Sequence, residues 1–191
     1  MMLTPTPILK EQAARERILL TAHRLFYLEG IRATGIDRII AESGVTKVTF
    51  YRHFPSKNEL IHAYLEYRHA LWLQWFGDAL SRHGGGIGAL VPALREWLEN
   101  EQFRGCAFIN GVSELGPVSA ETMEIARRHK QALREAIAGL LPDTAEKEER
   151  ASLLAMAADG AIVRAQMENG AQPALASLGL LIRLLPAPAQ G

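Results

Sequence analysis

Cysteine is nearly missing from this chain, which contains only Cys106 among its 191 residues. A single cysteine cannot form an intramolecular disulfide, so a reducing compartment suits the protein best. The sequence also lacks an apolar run near the 18 or so residues that a membrane span requires. Its opening residues, MMLTPTPIL, contain neither the basic stretch nor the long apolar stretch of a signal peptide. We therefore expect a cytoplasmic protein with no membrane partner.

Net charge is absent as well, because 21 basic residues balance 21 acidic ones. A neutral chain argues against nucleic-acid binding, but the charges are unevenly distributed. Residues 1–70 contain ten Lys or Arg and seven Asp or Glu, so the positive charge lies towards the front. This asymmetry is modest, and it supports a DNA-facing N-terminal part without establishing one.

Signatures of enzymes and metal sites are missing too. No motif supplies a base for Cys106, so its expected role is that of a small buried apolar group. The six histidines lack the spacing of a metal site, and the glycine-rich loop that begins at His83 lacks the Lys-Ser/Thr ending of a phosphate-binding loop. We expect no enzymatic activity, no metal and no cofactor.

Helical periodicity runs through the sequence, whereas strand signals are nearly absent, so we predict an all-α fold. One short helix should begin near Thr34 and end before Gly44. The other expected helices span about residues 10–29, 46–53, 57–80, 88–101, 106–114, 119–140, 144–168 and 173–185.

Turn and cap signals mark the ends of several of these helices. Gly44 should form a tight turn and Gly30 a left-handed helix cap, because a residue without Cβ adopts positive φ most easily. Three residue pairs have the spacing of a capping box. They are Thr34 with Asp37, Ser56 with Glu59, and Asp143 with Glu146.

The stretch TGIDRIIAESGVTKVTFYRHF, residues 34–54, is the most informative part of the chain. It predicts two short helices across a tight turn, and the second helix is basic and aromatic, which suits the DNA major groove. Lys47 and Arg52 can meet guanine edges or phosphates, and the methyl groups of Val48 can touch a thymine methyl. The residues predicted to contact DNA are Thr34, Arg38, Thr46, Lys47, Val48, Thr49, Tyr51, Arg52, His53 and Lys57.

A longer pattern surrounds that stretch. It consists of Ile18, Ala22, LeuPhe at 25–26, Gly30, Thr34, residues 39–41, Gly44-Val45, ThrPheTyrArgHisPhe at 49–54 and SerLysAsnGluLeu at 56–60. In this pattern the segment 15–65 resembles the TetR family of bacterial transcriptional regulators, which often has Gly in the place of Val48. The resemblance implies an N-terminal three-helix helix-turn-helix DNA-binding domain over residues 10–70, with the motif at about 35–54. A larger C-terminal helical domain for ligand binding and dimerisation would cover 71–191, and Lys57 would contact phosphate.

The last two expected helices, 144–168 and 173–185, are rich in Ala and Leu. Their apolar stripe is formed by Leu178, Leu181, Ile182 and Leu185. The resemblance implies that these helices pair with their copies in a homodimer, which would bind an inverted-repeat DNA operator. Alternatively, the stripe packs against its own subunit.

Large apolar side chains with a few polar ones in the middle helices suit a pocket for an unknown small, mostly apolar effector. The same residues at helical spacing also suit a plain core. The predicted pocket residues are Trp72, Trp75, Phe76, Trp97, Phe103, Phe108, Asn110, Glu114, Met123, Met156 and Asp159. We predict a dimeric repressor that the effector releases from DNA. The alternatives are an effector-independent regulator, an activator, or a helical interaction protein with a degenerate DNA-binding head.

Overall fold

The computed structural model describes residues 13–168 and 170–185, and within them the chain forms nine α-helices and no strand. The helices are α1 (Ala14–Glu29), α2 (Ile36–Ser43), α3 (Lys47–His53), α4 (Lys57–Arg82), α5 (Leu90–Leu98), α6 (Ala107–Leu115), α7 (Ala120–Ala138), α8 (Lys147–Met167) and α9 (Gln172–Leu184). Short 3-10 segments precede α5 and follow α6. The predicted all-α fold is confirmed. None of the described helices combines the length and hydropathy needed to cross a membrane.

Helix ends follow the predictions within a few residues, but two of the three capping boxes are wrong. Helix α2 begins at Ile36, and Thr34 instead donates its hydroxyl to the Gly30 carbonyl at 2.8 Å. Helix α8 begins after Glu146 without a side-chain cap bond. Ser56 does cap α4, since its Oγ accepts from the Glu59 N–H at 3.1 Å. The first three residues expected in the first helix, 10–12, lie outside the described residues.

The chain divides into two compact units that do not follow a single cut in the sequence. The N-terminal unit comprises residues up to Trp72 together with Ala107–Ala126, and the C-terminal unit comprises the remainder. Helix α6 and the start of α7 therefore belong with α1, α2 and α3, although the sequence suggested a boundary near residue 70. The functional domains predicted for 10–70 and 71–191 stay a prediction.

The core of the N-terminal unit is built on the predicted inner face of α1. Ile18, Ala22, Leu25 and Phe26 are all buried there, and the Phe26 ring meets the Tyr64 ring edge-on at 5.4 Å. Ile39 of α2, Phe50 of α3 and Leu60 of α4 are also fully buried in this unit. Each buried side chain of this size stabilises the fold by about 1.5–3 kcal/mol, so a hydrophobic core supports the helix-turn-helix.

The C-terminal unit has an aromatic cluster and a closely packed pair of final helices. The Trp97 ring lies 6.3 Å from the Trp75 ring and 5.4 Å from the Phe103 ring, both in edge-on arrangements. Helices α8 and α9 pack against each other, and both bury small and apolar residues. The buried residues are Ala151, Leu154, Ala158, Ala161, Ile162 and Ala165 on α8, and Ala174, Leu175 and Leu178 on α9.

Candidate nucleic-acid interface

The turn between α2 and α3 is made by Gly44 in the left-handed conformation, with φ 64° and ψ 33°. Its N–H donates to the Ala41 carbonyl at 3.3 Å, and the next N–H, of Val45, donates to the Ile40 carbonyl at 3.4 Å. A side chain at this φ is strained even though a Cβ would meet nothing within 4 Å. The glycine therefore sets the angle at which α3 leaves α2, as the sequence predicted.

Arg17 of α1 holds this turn, and sequence reasoning missed it. Its Nε donates to the Ser43 carbonyl at 3.1 Å, and its Nη2 donates to the Gly44 carbonyl at 3.4 Å. These carbonyls lie at the C-terminal end of α2, where backbone acceptors lack helical partners and a positive charge is favoured. The contact joins residues 26 or more apart, so no local pattern in the sequence announces it.

Helix α3 is anchored by buried aromatic side chains and capped at its N-terminus. Phe50 and Phe54 are buried, and the Phe50 ring packs edge-on against the Tyr51 ring at 5.3 Å. The hydroxyl of Thr46 accepts a hydrogen bond from the Thr49 N–H at 3.2 Å, as an N-cap does. This anchoring fixes which side chains of α3 face outward.

Four of the predicted DNA-contacting residues share that outward face. Val48 is 70% exposed and Tyr51 40% exposed, which is unusual for large apolar side chains. Lys47 and Arg52 are exposed beside them. The Lys47 ammonium lies 4.0 Å from the Asp37 carboxylate, and both side chains are exposed, so this pair is worth little and leaves the cation available.

Three further predicted residues lie at the edges of this face. Thr46 is exposed, whereas Thr49 and His53 are half-buried. The hydroxyls of Thr46 and Thr49 lie 2.9 Å apart and bond to each other. Contacts of these three residues with DNA stay a prediction.

Thr34 and Arg38 are placed differently from the exposed residues of α3. Thr34 is fully buried, and its hydroxyl donates to the Gly30 carbonyl. Its predicted phosphate contact stays a prediction. Arg38 pairs with Glu29 through Nη2 at 2.8 Å and with Glu42 through Nε at 2.7 Å. Hydrogen bonds first to Glu29 and then to Glu42 raise the pKa of Arg38 above its ordinary value. Its charge is therefore already matched by carboxylates on the protein surface.

Lys57 opens α4 and turns back towards the loop between α1 and α2. Its Nζ donates to the Ile31 carbonyl at 2.7 Å and lies 5.9 Å from the centre of the Phe26 ring. Burial lowers the pKa of Lys57, and the nearby Glu114 carboxylate acts in the opposite direction. The ammonium therefore holds the loop in this structure, and its predicted phosphate contact remains a prediction.

Glu114 of α6 also binds that loop, although the sequence suggested that it lines an effector pocket. Its Oε2 accepts a hydrogen bond from the backbone N–H of Arg32 at 2.7 Å.

At Gly30, whose φ is 94°, an added Cβ would lie 3.5 Å from the Glu114 carboxylate. Gly30 thus has the predicted positive φ, but its ψ of 153° is extended rather than left-handed helical.

The predicted effector residues are divided between the two compact units. Five belong to the N-terminal unit, namely Trp72, Phe108, Asn110, Glu114 and Met123. Six belong to the C-terminal unit, namely Trp75, Phe76, Trp97, Phe103, Met156 and Asp159. Trp72, Trp75, Phe76, Trp97 and Phe108 are buried, as pocket walls or core residues would be. The pocket itself stays a prediction.

Two of those residues have surroundings that the sequence did not suggest. Met156 is 68% exposed on the outer side of α8, so it does not line the interior of its unit. The Asp159 carboxylate accepts from the Lys130 ammonium at 2.6 Å, and that ammonium also lies 3.4 Å from the sulfur of Cys106. Cys106 is a buried free thiol.

A cavity of about 210 Å³ lies in the N-terminal unit and contains none of the predicted effector residues. Its lining is formed by Asn58, Ile61, His62, Leu115, Ser119, Glu121 and Thr122. Within the ranges 13–168 and 170–185, no group of three or more His, Cys, Asp and Glu side chains is arranged to hold a metal ion.

Helix α3 follows a glycine turn, rests on the buried Phe50 and Phe54, and presents cationic and apolar side chains outward. This arrangement defines a helix-turn-helix DNA-binding protein. Comparison with known proteins gives the family. The family model "Bacterial regulatory proteins, tetR family" matches residues 18–64. The structure of SCO4454, a TetR-family transcriptional regulator from Streptomyces coelicolor, is 30% identical, with a TM-score of 0.78. That match covers 89% of this chain and 88% of the other. The chain therefore belongs to the TetR family of transcriptional regulators, which are DNA-binding proteins and not enzymes.

Two other relatives show how far the similarity extends. The HTH-type transcriptional regulator LmrA of Bacillus subtilis (strain 168) is 50% identical over 46 residues, which is 24% of this chain and 24% of LmrA. The chain thus matches only about a quarter of that curated relative. The multidrug binding protein EbrR, solved in complex with malachite green, is 18% identical over 91% of this chain and 98% of its own, with a TM-score of 0.69. At that identity the likeness concerns the fold alone.

Proposed function

We propose that this regulator is a homodimeric repressor that binds an inverted-repeat operator and leaves it when a small, mostly apolar effector binds. The observation that carries the proposal is the outward face of α3. Lys47, Val48, Tyr51 and Arg52 are exposed there together, on a helix anchored by the buried Phe50. An exposed valine and tyrosine between two cations suit a groove that offers phosphates, base edges and methyl groups.

Each side chain of this face has a role that follows from its chemistry. Arg52 and Lys47 donate to guanine acceptors or to phosphates, and a good bidentate pair with guanine discriminates by about 1–3 kcal/mol. Val48 meets a thymine methyl, while Tyr51 and the neighbouring His53 position the helix on the backbone. Lys57 reaches a phosphate after releasing the Ile31 carbonyl. Its ammonium then exchanges a neutral acceptor for a charged one.

A dimer interface is supported by apolar residues on the outer surfaces of the last two helices. The predicted stripe residue Leu178 is buried within its own unit, so it faces inward. Other large apolar residues are exposed instead. They are Leu153, Met156 and Met167 on α8, and Leu180 and Leu184 on α9. We place the second subunit on this surface, because pairing of two copies would remove these exposed apolar side chains from water.

The effector site that we propose uses the aromatic cluster of Trp75, Trp97 and Phe103 in the C-terminal unit. Large rings in edge-on contact offer apolar walls to a ligand that inserts between them. EbrR, which shares this fold, is a multidrug binding protein with malachite green bound, and this supports a lipophilic effector for the present chain.

Two hydrogen bonds support the coupling that we propose between the effector and DNA binding. Glu114 of α6 and Lys57 of α4 both bind the loop between α1 and α2, and α4 contributes residues to both units. An effector that favours another position of α4 would disturb this loop and with it the helix-turn-helix. A coupling of about 1–3 kcal/mol would weaken operator binding some 5- to 150-fold.

The proposal is tested by footprinting on the DNA that flanks the protein's own gene, followed by fluorescence anisotropy on the protected fragment. We expect protection of an inverted repeat and a stoichiometry of one dimer per site. Lipophilic compounds that raise the thermal unfolding midpoint should then release the fragment. Compounds that stabilise the protein without weakening DNA binding would exclude the effector step. Reporter expression that falls in a deletion strain would indicate an activator.

A further inference from the structure

Arg68 of α4 is a buried arginine that contacts two neutral side chains of α1. It is 1% exposed and stands among the largest fully buried side chains of the described structure. Its Nη1 lies 3.2 Å from Nε2 of His23, and the guanidinium carbon lies 3.9 Å from the centre of the Tyr27 ring. Among the residues that the structure describes, its Nη2 has no hydrogen-bond partner and Arg68 forms no ion pair with a carboxylate.

The neighbouring histidine does not compensate the charge. A guanidinium only donates hydrogen bonds, so Nε2 of His23 must accept, and the imidazole is neutral with its proton on Nδ1. Burial, and secondarily the charge of Arg68, lowers the pKa of His23 to about 3. The Tyr27 ring offers a favourable face but no negative charge. Within the described ranges, the positive charge of Arg68 is therefore left without a counter-charge.

Such an arrangement is rare, because buried charges in proteins are normally paired and buried donors normally have acceptors. A buried donor without one usually indicates a water, an ion or a ligand group that belongs there. Guanidinium presents a planar fork that matches a carboxylate in a bidentate manner. The free Nη2 thus points to an acceptor of that shape and charge.

We propose that Arg68 is the anchor of an anion site between α1 and α4 of the N-terminal unit, and that this site binds the carboxylate of a small molecule. The rings of Tyr27, Tyr64 and His23 lie around the guanidinium or its partner, with the His23 and Tyr64 centroids 5.9 Å apart. These rings favour a carboxylate carried on an aromatic body. The site lies outside the predicted effector residues and is independent of the proposed repressor function.

The test uses the full chain without DNA and sodium benzoate as the probe. Thermal unfolding is followed at constant ionic strength in benzoate, acetate and chloride, after prolonged incubation because Arg68 is enclosed. We expect benzoate to raise the unfolding midpoint saturably, by about 5 °C at a hundred times its Kd, with acetate weaker and chloride without effect. Equal midpoints in benzoate and chloride would overturn the proposal.

Variants of Arg68 test whether the stabilisation by benzoate depends on this residue. Arg68→Met should unfold at the same temperature with and without benzoate, whereas Arg127→Met, at an exposed arginine of α7, should respond like the wild type. A full benzoate response in Arg68→Met would contradict the assignment. If that variant does not fold, Arg68→Lys keeps the charge but loses the fork, and we expect it to bind benzoate at least about tenfold more weakly in calorimetric titration. Unchanged affinity in Arg68→Lys would contradict the proposal equally.

Discussion

The carboxylate of Glu114 accepts a hydrogen bond from the backbone N–H of Arg32, 2.7 Å away, across 82 residues of sequence. Arg32 lies in the loop between α1 and α2, and Lys57 holds the neighbouring Ile31 carbonyl at 2.7 Å. The loop that leads into the helix-turn-helix is thus tied by side chains from α6 and α4. These two contacts connect α4 and α6 to the loop that precedes α2.

Removing the Glu114 carboxylate should loosen this loop before it affects the rest of the protein. In Glu114→Ala the Arg32 amide loses a charge-assisted acceptor, a bond worth about 1.5–3 kcal/mol. We expect amide hydrogen exchange at Arg32 to accelerate at least about tenfold, while exchange in α9 is unchanged. Glu121→Ala, at an exposed residue in the first turn of α7, serves as the control. Equal protection of Arg32 in both variants would show that the bond is unimportant in solution.

The left-handed conformation of Gly44 predicts a stability cost for any side chain at that position. Gly44→Ala should lower the free energy of unfolding by about 1–2 kcal/mol, because a Cβ is disfavoured at a φ of 64°. Gly77→Ala is the matched control, since Gly77 lies inside α4 with open space around it. That variant should gain about 0.5–1 kcal/mol. Denaturant unfolding measures both, and changes of the same sign would refute this explanation of the turn.

Buried His23 predicts a specific sensitivity to acid. Its pKa is about 3 in the folded chain against the usual 6.5, so only the unfolded chain gains a proton between these values. Stability from this group is complete above pH 6.5 and falls as the pH drops towards 3, by roughly 1.4 kcal/mol per pH unit. His23→Gln should flatten the pH dependence of unfolding in that window. The exposed-site control His62→Gln should retain the wild-type slope.

Lys57 predicts a change in DNA binding that does not depend on sequence. Lys57→Ala should weaken binding to specific and random fragments about equally, and reduce the salt slope by about one unit if the ammonium neutralises one phosphate. It should also lower stability modestly, because the Ile31 carbonyl loses its donor. Anisotropy titrations at several salt concentrations measure the slope, with Lys147→Ala on α8 as the control. An unaltered slope would show that Lys57 does not bind phosphate.

The outer face of α9 predicts a variant that no longer dimerises. Leu184→Glu places a charge at an exposed apolar position, which is harmless on a free surface but costly in an apolar interface. Sedimentation analysis should show a dimer in the wild type and a dimer dissociation constant at least about tenfold larger in the variant. Ser81→Glu, at an exposed position of α4, should remain a dimer. An unaffected Leu184→Glu dimer would exclude this face as the interface.

The helices and the DNA-reading element were predictable because their signals are local. Apolar spacing located the nine helices of the described chain, and the chemistry of glycine located the Gly44 turn. Local signals gave the wrong prediction where a side chain had another hydrogen-bond partner close by. The Thr34 hydroxyl had the spacing of a cap, but the Gly30 carbonyl four residues earlier was a better partner for it.

Contacts between distant parts of the chain were not predictable from the sequence. Arg17 binds the turn at Ser43 and Gly44, and Glu114 binds Arg32, yet neither pair follows a spacing rule. Helical spacing also does not tell which apolar face is buried within the subunit. Met156, for example, was predicted to line a pocket but is exposed, although it shares α8 with the buried Leu154 and Ala158.

The central claim is that a paired scaffold presents α3 twice to one duplex, and selection from genomic DNA tests it most directly. The purified full chain would be incubated with sheared genomic fragments and excess random competitor, and the retained fragments sequenced. We predict enrichment of fragments that contain an inverted repeat, with base preferences that change in Arg52→Ala. Retained fragments with no shared repeat and no enrichment over the competitor would contradict the account.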